Sequence, residues 1–171
     1  MSVRMLVAYA THAGSTQEVA NEIGETLRKQ GIAVEIHPVR NVRDLGEYSA
    51  VVLGAPLYMF HWHRDAHHFI ARFKKDLERL PLAIFAIGPF EDKPDHWQGA
   101  REQLDKELAK YTWLEPAAKE VFGGKFDAAA LHFPYSWIPA MKAIPPSDLR
   151  NWDTIRAWAE QFARDSQPVG E

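Results

Sequence analysis

The sequence predicts an α/β fold, a parallel sheet with helices on both faces. Three observations lead there. The runs "VRMLVAYA", "AVVLGA" and "LAIFAI" are short, apolar throughout and bounded by turn residues, as strands buried on both faces must be. Segments of helical spacing alternate with them. The loops that follow the strands are rich in small, hydroxyl, glycine, proline and aromatic residues.

Residues 3–10 form the first predicted strand. A helix follows over 15–30, where Val19, Ala20, Ile23 and Leu27 share a face and Gly31 takes the position of a helix-ending glycine. Residues 32–36 alternate as a second strand, and 50–55 form a third. Over 65–80, Phe69, Ile70, Phe73, Leu77 and Leu80 recur at helical intervals until Pro81. Residues 82–87 are a fourth strand, 99–111 a helix and 119–122 a weaker fifth strand. An irregular, proline- and aromatic-rich segment covers 123–150. A C-terminal helix over 151–164 carries Trp152, Ile155, Ala159 and Phe162 on one face.

The 171 residues suit one domain, 1–171. Apolar residues make up 46% and charged residues 25%, the balance of a globular protein. A net charge of -3 argues against a nucleic-acid partner, which needs a basic face. With no cysteine there is no disulfide, iron–sulfur cluster or thiolate zinc site. No stretch has the length of a membrane span and the N-terminus does not read as a signal peptide, so the expectation is a cytoplasmic protein with no transmembrane segment.

In an open parallel sheet, ligands bind beyond the carboxyl ends of the strands, where the winding reverses. The loop after the first strand is "THAGST": Thr11, His12, Ala13, Gly14, Ser15 and Thr16. Gly14 lets an anion approach the backbone, and the amides of the next helix face outward at the positive end of its dipole. The loop has no lysine, so it is not a triphosphatase loop, and it lacks the spaced glycines of a dinucleotide fingerprint. It suits one phosphate monoester held by amides and hydroxyls.

"YATHAGSTQEVA" resembles the flavodoxin phosphate loop, departing at Ala13, where most flavodoxins place a hydroxyl. "GAPLYMFHWH", "WLEPAAKEVFGG" and "LRNWDTIRAWA" extend the resemblance, in order, towards the branch that includes the menaquinone-dependent protoporphyrinogen dehydrogenases. The resemblance implies a flavodoxin-like three-layer sandwich, a five-stranded parallel sheet of order 2-1-3-4-5, and FMN as cofactor. The chain departs from that branch over 123–150, which is short and has only Lys125, Lys142 and Arg150 as fixed cations. It departs from acidic electron carriers in its histidine-rich third loop; only Glu91, Asp92 and Asp95 after the fourth strand are acidic there.

A flavin ring needs flat apolar plates and backbone groups for its polar rim. Pro56, Leu57, Tyr58, Met59 and Phe60 after the third strand are expected to form one wall, centred on Tyr58. Gly88, Pro89 and Phe90 would form the rim, with Trp97 or His96 closing the outer face. The third loop lacks the glycine that the resemblance to carrier flavodoxins would place there to flip against the flavin, which implies paired-electron transfer.

Of the histidines in "HWHRDAHH", His67 and His68 read as the solvated side of a helix start, and His61 or His63 as a proton donor near the flavin edge. No metal is expected, since no ligand frame such as HExxH is present. A receiver domain shares the winding but needs acids at the ends of strands one and three, and these ends have none. The expected function is an FMN-dependent oxidoreductase, quinone- or porphyrinogen-linked, with a substrate pocket walled by 133–137. The alternative is a non-catalytic electron carrier docking onto a redox partner; a flavin-free relic is a third reading. The expected partner is a small molecule or a redox protein. Peripheral membrane contact would accompany a quinone, and a homodimer is compatible with the chain.

Overall fold

The structure, a computed structural model, describes residues 3–11, 14–58, 61–126, 137, 139 and 147–167. His12, Ala13, Met59, Phe60, Lys142 and most of the predicted 133–137 wall lie outside the described residues.

The elements run β1 (Arg4–Tyr9), α1 (Ser15–Lys29), β2 (Ala33–Pro38), a 3-10 turn (Val39–Asn41), β3 (Ala50–Tyr58), β4 (His61–Trp62), α2 (Arg64–Arg72), α3 (Lys74–Leu77), β5 (Leu82–Ile87), α4 (Pro94–Leu108), β6 (Ala118–Phe122), β7 (Lys125–Phe126), β8 (Ser147–Asp148) and α5 (Trp152–Ser166). The main sheet has the order β2-β1-β3-β5-β6, and every neighbouring pair on that path is parallel. Counting these five strands alone gives the predicted 2-1-3-4-5. The two-residue β4 was not expected; it folds back antiparallel on the end of β3, pairing Leu57 with Trp62 and Tyr58 with His61.

Strand alternation divides the core. Met5 and Val7 of β1, Val52 and Phe85 pack with α1 and α5, where Ile155, Ala159 and Phe162 are buried. Leu6, Ala8, Leu53 and Ile84 pack on the other face with α2 and α4. Helices therefore cover both faces. Because α1 leads from β1 to one face and α2 from β3 to the other, the chain diverges between the adjacent ends of β1 and β3.

Several boundaries moved. The predicted 65–80 helix breaks at Phe73, whose φ of -104° and ψ of 25° leave the helical basin. The helix predicted from residue 99 begins at Pro94, since a proline at the first helical position has no amide to lose. β3 runs through to Tyr58 because β4 pairs with its end. At Gly54 in β3 the Phe85 ring lies where a Cβ would stand, 1.9 Å from its ideal position, so the strand needs glycine there.

Candidate functional site

The loop expected to take a phosphate is closed by a local bond. The Gly14 amide donates to Thr11 Oγ1 at 2.8 Å, closing the turn that leads into α1. Gly14 has φ of +88°, a conformation that glycine adopts without strain, and its Cβ position is open. Helix α1 begins with no side-chain cap although two hydroxyl residues open it. Thr16 is buried, and its Oγ1 has no hydrogen-bond partner among the described residues. A buried hydroxyl without a partner costs free energy unless something else accepts or donates there. An uncapped helix start, a left-handed glycine and an orphaned buried hydroxyl are the features a phosphate monoester would satisfy, so the residues present fit the group.

A feature beyond the predicted set steadies this end of α1. Arg150, its side chain 6% exposed, pairs with Glu18 one turn into the helix and with Asp148 at 2.8 Å. Its guanidinium stacks over the Trp152 ring, 4.8 Å from the centroid. The hydrogen bond from Arg150 holds the Asp148 carboxyl below the usual carboxylate range. Pairing with Arg150 also offsets the field of Glu18, which would otherwise repel an anion in the neighbouring loop. A sequence motif cannot show this pairing, because the two residues lie 132 positions apart.

The predicted flavin walls are divided by the β3–β4 hairpin. Thr11, Tyr58, His61 and His63 line a cleft of about 740 Å³ at the ends of β1, β2 and β3, together with Tyr9 and Arg40. Burial pushes the Tyr9 phenol up from its ordinary value. Leu57, one residue from Tyr58, points to the other side and lines a separate hollow of about 500 Å³ with Gly88, Pro89, Phe90 and His96. Pro56 is buried between them. Trp97 lines neither: it borders a third hollow beside Arg101 and Glu120, and its Nε1 donates to Asp92 at 2.9 Å. Of the two residues considered for closing the outer face, His96 is the one beside Pro89 and Phe90. The Phe90 carbonyl accepts from Ser147 Oγ at 2.7 Å, which ties this loop to β8.

The histidines have separate jobs. His63 precedes α2 and caps it, its Nδ1 accepting from the Asp65 amide at 3.0 Å. The His61 side chain is 76% exposed, with Nδ1 3.6 Å from Glu107 Oε1. His68 is exposed, as expected of a solvated helix side. His67 corrects that expectation: its side chain is only 19% exposed, and its ring reaches inward to Glu107 and Tyr111. Among the described residues no three metal-ligating side chains converge, and no helix is long and apolar enough to cross a membrane.

Glu107 is the centre of that inner cluster. Burial raises its pKa, but the His67 hydrogen bond, the Lys110 and His67 charges and the Trp62 amide outweigh it and hold the carboxyl below its ordinary 4.5. An ionised carboxylate only accepts, so the proton on the 2.5 Å contact belongs to His67 Nε2. Nδ1 then faces the Tyr111 hydroxyl, whose pKa is raised by burial and the Glu107 charge.

A parallel sheet with a phosphate-type loop after β1 and aromatic and Gly-Pro loops after β3 and β5 defines a flavin-binding α/β class. The model of the flavodoxin domain family matches residues 6–135, and the chain belongs to that family, with FMN as its cofactor. Over 138 residues it is 22% identical to protoporphyrinogen IX dehydrogenase (quinone) of Escherichia coli strain K12, spanning 79% of this chain and 74% of that protein. Its fold is similar to a flavodoxin from the domain Archaea, with a TM-score of 0.60 and 13% identity over 96% of this chain and 99% of that one. It is likewise similar to flavodoxin 1 of Bacillus cereus, with a TM-score of 0.59 and 15% identity over 94% and 97% of the two chains.

Proposed function

We propose that the chain is an FMN-dependent oxidoreductase that passes electrons between a quinone- or porphyrinogen-like small molecule and a second redox partner. The observation that carries the FMN site is the orphaned, buried Thr16 Oγ1 beside Gly14 at the uncapped start of α1. The 22% match to protoporphyrinogen IX dehydrogenase (quinone), extending over 79% of the chain, supports the substrate class.

In this reading the Thr11–Gly14 turn and Thr16 hold the phosphate, and the end of β3 with Gly88, Pro89 and Phe90 flanks the ring. FMN supplies the redox chemistry; the protein supplies binding, orientation and the surrounding field. Tyr58 and Leu57, on opposite sides of one strand end, present an aromatic face to one hollow and an aliphatic face to the other. His61, exposed at the cleft edge with its Nδ1 3.6 Å from Glu107 Oε1, is the histidine this reading places where it can exchange protons with solvent.

The test is to purify the protein, record its flavin absorbance, and follow bleaching of bound FMN by a reduced substrate. Reoxidation by a soluble menaquinone analogue, and not by buffer alone, is the expected result. A protein that refuses added FMN rejects the site; one that binds FMN but reacts with neither quinone nor porphyrinogen rejects the substrate class.

A further inference from the structure

We propose that the groove between the Val39–Asn41 turn and α2 is a docking surface for a protein electron carrier with a carboxylate-rich face. The inference rests on the FMN reading of the neighbouring site and names the kind of partner that approaches it.

The groove has a volume of about 320 Å³, and Val39, Arg40, Arg64 and Asp65 line both it and the 740 Å³ cleft, so the two are continuous. Arg40, Arg64 and Arg72 supply its cationic lining, His68 lines it beside them, and Arg43 stands exposed next to it. Asp65 is the one carboxylate among the groove residues, and Arg40 Nε donates to it at 2.8 Å. Asp44 is exposed next to Arg43 and accepts from the Gly46 amide. Four arginines against two aspartates leave this face positive, on a chain whose net charge is -3. Arginine stays charged throughout the working pH range, so the field persists.

The cations are also held in place. Arg72 donates to the Val42 and Arg43 carbonyls at 3.2 and 3.3 Å, and its guanidinium lies 4.9 Å from the Phe73 ring centroid. Carbonyls orient a guanidinium without cancelling its charge, so less side-chain entropy is lost when a carboxylate arrives. Across the sheet ends, Asp92 on the β5–α4 loop and Asp95 in the first turn of α4 are exposed, as is Glu91, which pairs with Lys93 at 2.8 Å. Opposite fields on two sides of one mouth orient an approaching charged partner as well as attracting it.

The shape favours a protein over a lipid surface. The cations line a concave groove that accepts protruding acidic side chains. None of the lining residues is an exposed large apolar side chain of the kind that inserts into lipid.

The experiment titrates the FMN-loaded protein with an acidic plant-type ferredoxin by calorimetry at low and high salt. A basic c-type cytochrome and phosphatidylserine vesicles serve as comparisons, and FMN content is read by absorbance on each sample. Ferredoxin binding is expected to weaken about tenfold as salt rises from roughly 20 to 300 mM, because the Debye length contracts. Arg43→Glu with Arg64→Glu should abolish that binding and its salt dependence. Lys29→Glu with Lys106→Glu, an equal charge change at exposed positions away from the groove, should retain both.

Salt-independent binding, equal loss in the two double variants, or capture by vesicles in place of ferredoxin overturns the proposal. Ferredoxin binding by a protein that holds no FMN would keep the docking face and reject the flavin site. Retained FMN with no ferredoxin binding would do the reverse.

Discussion

His67 on α2 and Glu107 on α4 meet at 2.5 Å beside the hairpin that carries Tyr58. The Trp62 amide donates to the same carboxylate, and the Trp62 ring packs edge-on to His67 at 5.6 Å between centroids. One buried carboxylate thus binds two helices and the short β4 strand that folds the end of β3 back.

Glu107→Gln keeps the shape and removes the charge, leaving His67 and Lys110 without their anion. At neutral pH it should cost about 2–3 kcal/mol, less than breaking a fully buried pair because His67 is partly exposed. The folded pKa of Glu107 lies below its ordinary 4.5, so its stabilisation is complete above that value and is lost as pH falls through the folded one. Urea denaturation of both proteins should therefore show a gap that narrows from pH 7 towards pH 3. A constant gap would reject the ionised-carboxylate account.

Thr16→Val separates folding from ligand binding. The hydroxyl has no partner among the described residues, so its removal should leave the melting temperature unchanged or slightly higher. Losing one hydrogen bond to a charged phosphate should weaken FMN about tenfold or more. Unchanged FMN affinity by fluorescence titration would move the phosphate away from this loop.

His96 and Trp97 make opposite predictions although they are neighbours. His96 shares the hollow of Gly88, Pro89 and Phe90, while Trp97 is bonded to Asp92 in another. His96→Ala should weaken FMN several-fold, and Trp97→Phe should leave its Kd within about twofold. The reverse order, measured by the same titration, would place the ring on the Trp97 side.

Gly54→Ala tests the core behind the site. A methyl there meets the Phe85 ring at 1.9 to 2.3 Å, and Phe85 is itself packed against Phe122 and Trp158. Overpacking of this kind costs about 1–3 kcal/mol or more. Thermal melts should show a fall of about 4–10 °C for a chain of this size. An unchanged melt would mean the ring can step aside.

The strands were the most legible part. "LAIFAI" is observed as β5 over its whole predicted length, because a strand buried on both faces has to be apolar at every position. The turn into α1 was legible because it is local: Thr11, Gly14 and Thr16 lie within six positions of one another. The two-residue β4 carries no periodicity, so nothing local announced the hairpin. His67 looked solvated for a similar reason. Its partner Glu107 is 40 positions away, and no helical pattern on α2 records which residue of α4 will face it.

The sequence by itself determined the alternation of strands and helices, which follows from periodicity, and its quoted stretches carried the resemblance that implied the family and the cofactor. The tertiary structure alone decided how the wall residues divide. Side chains alternate along β3, so Tyr58 and Leu57 serve different hollows. It also decided where charges are paired, since Arg150 is pinned by Glu18 and Asp148 and Arg40 by Asp65, while Arg43 and Arg64 stand exposed. Such pairings depend on through-space distance, which the order of residues along a chain does not carry.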